Sequence, residues 1–140
     1  MFKRKVSLLL CSIFASSYLF AQTNVSVQIN NINDDMEEWI AGAGQTQTVG
    51  TLDGGSSDLE FGCESGVNTD PQLVGLRFNN ITIPKGALIT RAYIQFTCDA
   101  TNKNADPCNV WIKVQAADNA VTFNPSSNFN ISSRAMAAVQ

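Results

Sequence analysis

Apolar side chains recur at every second position along much of the chain. Val25, Val27 and Ile29 alternate with polar neighbours, as do Leu59, Phe61 and Cys63. The same alternation runs through Val74, Leu76 and Phe78, then Ala92, Ile94, Phe96 and Cys98, and finally Val110, Ile112 and Val114, with Cys108 in phase. Period two is the signature of a half-buried strand, one face on a core and the other in water. Between these runs lie Asp53-Gly54-Gly55-Ser56-Ser57, Asn68-Thr69-Asp70-Pro71 and Asn102-Lys103-Asn104-Ala105-Asp106-Pro107, whose Gly, Pro, Asn and Asp residues allow the chain to reverse. Pro84-Lys85-Gly86 adds a compact turn. Short strands joined by such turns predict an all-β, antiparallel sandwich or barrel.

Asp34 to Gly42 is the one stretch where helix competes. Met36, Trp39 and Ile40 fall at i, i+3 and i+4, Asp34 and Glu37 have capping-box spacing, and Gly42 is placed to end a turn. One or two helical turns and an extended segment both remain open here.

The first 21 residues read as a secretory signal. Lys3-Arg4-Lys5 is a basic start, Val6 to Phe20 is largely apolar, and Ala21 suits the residue before a cleavage, although Leu19 is large for its position. The apolar run falls short of the ~20 residues that span a bilayer, so no membrane span is expected after cleavage. Leu8-Leu9-Leu10-Cys11 imitates a lipidation motif loosely, but Leu10 is too large and the apolar stretch continues past the cysteine. The mature part, 22–140, shows no repeat or linker and is treated as a single domain. The expected address is exported, either extracellular or at the cell surface.

Composition narrows the chemistry. The 140 residues include no histidine, which removes His-based catalysis, His-ligated zinc and His pH switching. Of 9 basic residues, Lys3, Arg4 and Lys5 leave with the signal, so 6 face 12 acidic ones and the net charge is −6. Phosphate contacts need a basic face, so no nucleic-acid partner is expected. No catalytic constellation stands out, and the chain is read as a non-enzyme.

Export permits disulfides. Cys98 and Cys108 are both in phase with inward positions and flank a turn-rich connection, so they are expected to bond, in a hairpin or across the sandwich. Cys63 is then left over as a small buried hydrophobe.

Two clusters are candidate sites. Asp34, Asp35, Glu37 and Glu38 form the densest charge cluster, suited either to Ca²⁺ at a strand edge or to a solvated acidic loop. On the polar face of the later strands, a pairing that sets Cys98 opposite Cys108 also sets Gln95 opposite Trp111 and Tyr93 opposite Lys113. Tyr93 and Trp111 then become diagonal neighbours. Aromatic faces beside Gln, Lys and, from its own strand, Arg77 suit a sugar ring, whose CH groups stack and whose hydroxyls find polar partners. A loop or a neighbouring domain covering the aromatic pair is the competing reading.

The stretch VGLRFNNITIPKGALITRAYIQF, Val74 to Phe96, resembles a β-sandwich module recurrent in secreted bacterial proteins, in which a GLRF strand leads through IPxGAxIT into AYIQF. Asp34-Asp35-Met36-Glu37-Glu38, Ser57-Asp58-Leu59-Glu60-Phe61, Ala117 to Phe123 and Asn130 to Arg134 follow the same order of weaker motifs. The resemblance covers roughly residues 25–140. It implies a jelly-roll-like sandwich of the carbohydrate-binding-module type, an accessory binding or adhesion module with glycan as the ligand class and, in such folds, often a structural calcium. The family's module continues beyond the position matching Gln140. Either the chain is part of a larger surface protein, or its sandwich is completed by strand addition from a neighbouring chain in an extracellular assembly, by self-association for instance.

Overall fold

The computed structural model describes residues 22–63, 69–98 and 109–138. The signal segment and Cys108 lie outside the described residues, and with Cys108 the expected disulfide.

The chain forms a small all-β structure, with no helix among the described residues. Three antiparallel strands, β1 (Asp35–Trp39), β2 (Leu52–Asp53) and β3 (Gln72–Leu76), lie in the order β2-β1-β3. The register sets Glu37 against Asp53 and Val74, Glu38 against Leu52 and Leu73, and Met36 against Gly75. Arg77 N–H donates to the Asp34 carbonyl at 2.7 Å, which carries the β1–β3 pairing one step past the strand ends.

The segment open to helix is therefore the central strand. The local capping-box bonds that would favour a helix do not form, because both side chains have distant partners. The Asp34 carboxylate meets Arg77 and the Glu37 carboxylate meets the Glu60 N–H. Met36 to Trp39 are all buried, so β1 is covered on both faces.

Alternation separates the two faces. Asp34, Met36 and Glu38 look one way, with Leu52, Leu73, Gly75 and Arg77. Met36, Phe123 and Ile131 form the apolar cluster there, with Leu52 and Leu73 packed against it. Gly75 supplies the close approach: a Cβ at this position would lie 2.7 Å from Phe123 Cζ and 3.0 Å from Ile131 Cδ1. The opposite face carries Asp35, Glu37, Gln72 and Val74, under the segment around Glu60 to Gly62.

The other predicted strands need correction. Among the described residues Val25 to Ile29 and Ala92 to Cys98 carry no ladder, Leu59 to Cys63 contributes only the Cys63–Pro71 bridge, and Val110 to Val114 lies just before an isolated bridge between Gln115 and Met136. The positions expected to point inward are open to solvent: Ile94 is 42% exposed, Phe96 47% and Ile112 72%. Phe96 does meet Phe61 edge to face, with ring centroids 4.8 Å apart. On the Met36 face of β1 the turn-rich 120–132 segment, rather than these strands, supplies the covering layer. Two of the expected turns are present, while Asn102 to Pro107 lies outside the described residues. Ala87 N–H donates to Pro84 O at 3.0 Å with Gly86 at φ 83°, and Gly55 N–H donates to the Asp53 carboxylate at 2.7 Å.

Candidate functional site

The acidic cluster is structural in its geometry. Adjacent strand residues point to opposite faces, so Asp34 and Glu38 are separated from Asp35 and Glu37 by the sheet itself. The four carboxylates do not converge on one point, which corrects their reading as a single calcium ligand set. Among the described residues no group of three or more acidic or cysteine side chains is arranged to hold a metal ion.

Each buried carboxylate instead holds a covering segment. Asp34 accepts from Arg77 Nη1 at 2.7 Å and from the Asn79 amide, and it shares the Thr122 hydroxyl proton with the Asn33 carbonyl. Burial raises the Asp34 pKa, but the hydrogen bonds from Arg77, Thr122 and Asn79 and the Arg77 charge outweigh it and hold the group below its ordinary value. Glu37 Oε1 accepts from Glu60 N–H at 2.7 Å and from Gln72 Nε2 at 3.1 Å. Glu38 Oε2 accepts from the N–H groups of Ile131 and Ser132 at 2.7 and 3.0 Å. Glu38 Oε2 is engaged by two donors, whereas Glu38 Oε1 is buried with no hydrogen-bond partner among the described residues.

Two arginines complete the clamp on the covering segment. Arg77 Nε donates to Ala120 O at 2.6 Å. Arg134 donates to the carbonyls of Val121, Thr122 and Asn130 and to the side chains of Gln115 and Asn130, and its guanidinium lies 4.2 Å over the Phe123 ring. Desolvation, followed by the nearby Arg77 charge, lowers the Arg134 pKa. Arg77 thus belongs to this clamp and not to the sugar-facing patch in which the alternation had placed it.

A polar cleft of about 260 Å³ opens beside β1, lined in part by Asn31, Ile32, Asp35, Glu37 and Asp53. Glu37 and Asp53 face each other directly across β1 and β2 there. Asp70 has a separate task. Its carboxylate accepts from the Thr46 hydroxyl at 2.6 Å and from the N–H groups of Thr46 and Gln47, and the Thr46 bonds above all hold its pKa down.

The aromatic candidates stand in the open. Trp111 is 91% exposed and Tyr93 77%, with Gln95 and Lys113 exposed beside them in sequence. No ladder joins the two segments, so the expected Gln95–Trp111 and Tyr93–Lys113 pairings are not formed among the described residues. Arg91, two positions from Tyr93 and also exposed, was missed. The signal that points to it is its place on the polar side of the same alternation.

Comparison of the chain with protein-family models, with curated proteins and with solved structures finds no match in any of the three.

Proposed function

We propose that the protein is an exported, non-catalytic β-sandwich module whose ligand is a glycan, bound through Tyr93 and Trp111. The observation that carries this reading is the exposure of Trp111. Tryptophan is highly buried on average, and a nearly bare indole, with a largely exposed phenol on another segment, offers stacking faces for the apolar sides of sugar rings. Gln95 and Lys113 supply hydrogen-bonding groups at the same segments. Glycan-array screening of the wild type and Trp111→Ala tests the reading. Binding by the wild type that is lost in the variant is the expected result, and equal binding by both removes Trp111 from the site.

A second reading rests on the exposed alternation. Ile94, Phe96, Ile112 and Val114 lie open together with Leu88 and Ile89, and solvent-exposed apolar strand segments are acceptors for another chain's strand. In this reading a jelly-roll-like sandwich closes only when further β-structure, from a neighbouring chain or from the rest of a larger surface protein, pairs with these segments. Size-exclusion chromatography with light scattering tests it. A concentration-dependent oligomer supports strand addition between copies, and a monomer at all concentrations contradicts it.

A further inference from the structure

The protein is acidic overall, yet its two most exposed aromatics, Trp111 and Tyr93, sit in stretches free of acidic residues. From Pro71 to Cys98 there is no Asp or Glu, and from Asn109 to Ala117 there is none. Lys85, Arg91 and Lys113 are all exposed in these stretches. Arg77 is neutralised by Asp34, the one ion pair among the described residues, so these three cations have no carboxylate within ion-pair distance there.

The spacing is repeated. Arg91-Ala92-Tyr93 and Trp111-Ile112-Lys113 each place a cation two residues from an aromatic. In an extended chain, residues i and i+2 share a side and lie roughly 6.6 Å apart. A sugar ring stacked on the aromatic would then carry a ring substituent toward the cation. A neutral glycan has no use for an unpaired guanidinium and ammonium at this place, whereas a carboxylate or sulfate group does: arginine offers it a planar fork and lysine a point charge.

We infer that the ligand class of the Tyr93–Trp111 segments is an anionic polysaccharide, its uronate or sulfate groups met by Arg91 and Lys113. This inference rests on the glycan reading above and narrows it. The same cations and apolar side chains would also suit an anionic lipid surface, but the aromatic-and-cation repeat within single segments favours a chain of ring-shaped, charged units.

Affinity electrophoresis of the exported protein through gels containing polygalacturonate, dextran sulfate or neutral dextran tests it, with phosphatidylserine vesicles assayed in parallel by co-sedimentation. Retardation by polygalacturonate or dextran sulfate is expected, whichever of the two identifies the anionic group, and it should weaken as salt rises. The Arg91→Glu/Lys113→Glu double variant should lose at least about tenfold in affinity for the anionic polymer, the effect of removing two charge-assisted contacts. Circular dichroism identical to wild type shows that the loss is local. Binding to neutral dextran that Trp111→Ala abolishes and the double variant leaves intact overturns the anionic assignment while the glycan reading stands. Retention by none of the three polymers overturns both, and binding to the vesicles alone replaces both with a membrane surface.

Discussion

Glu37 and Glu38 are neighbours in sequence and face opposite sides of one strand, and each carboxylate holds down a different stretch of chain. Glu37 takes the Glu60 N–H on one face, and Glu38 takes the Ile131 and Ser132 N–H groups on the other. The acidic stretch is thus the seam between the sheet and its two covers. Buried acids are tolerated here because donors are brought to them by backbone that itself needs acceptors.

Glu38→Ala removes the acceptor for two buried N–H groups. Hydrogen bonds to charged groups contribute about 1.5–3 kcal/mol each, so urea denaturation should show a loss of at least that size. Glu38→Gln keeps one acceptor oxygen and should lose less. Equal stability of Glu38→Ala and wild type would show that the 131–132 backbone does not depend on this side chain.

Gly75→Ala places a methyl 2.7 Å from Phe123 Cζ, closer than real Cβ contacts allow, and 3.0 Å from Ile131 Cδ1. Overpacking of this kind costs about 1–3 kcal/mol, visible as a lower melting temperature. Adding Phe123→Leu should recover part of the loss. No recovery would locate the strain elsewhere.

The all-β character and one strand could be read from the alternation, and the failures are instructive. Val74 and Leu76 do lie in a strand, and the Asp53 and Pro84 turns form as expected, because both signals are local. β1 was ambiguous because acidic residues are poor strand formers by composition, and what makes them strand residues lies far along the chain. Glu38 and Ile131 are 93 residues apart in sequence. The alternation sets Arg77 on the water side of its strand, yet Arg77 shares the face of the Met36–Phe123–Ile131 cluster, because β3 is covered on both faces and period two does not say which face meets that cluster. The bare Ile94 and Ile112 show the converse limit, since alternation reports a capacity for burial and not what does the burying.

The pH dependence follows from Asp34 and Asp70. Both have folded pKa values lowered from an ordinary value of 3.8. Their contribution is therefore present above that value and is lost as pH falls through it toward the folded pKa. Stability measured by urea denaturation should fall as pH is lowered below about 4, and Asp70→Asn should flatten part of that fall. An unchanged acid limb in Asp70→Asn would assign the loss to other carboxylates.

Arg134→Lys keeps a charge but not the planar fork that reaches Val121, Thr122 and Asn130. Amide exchange at Phe123 and Ile131 should accelerate while exchange at the β1–β3 ladder changes less. Equal acceleration at both would mean that the covering segment and the sheet open as one unit.

The most direct test of the functional account uses the chain's two tryptophans, Trp39 buried in β1 and Trp111 almost wholly exposed. Acrylamide quenching of tryptophan fluorescence is measured with and without polygalacturonate, in the wild type and in Trp111→Phe. Polysaccharide that stacks on the indole should shield the accessible fraction of the wild-type emission and leave Trp111→Phe, which reports only Trp39, unchanged. Quenching of the wild type that is the same with and without polysaccharide, at concentrations where the gels show retardation, would contradict a binding site built on Trp111.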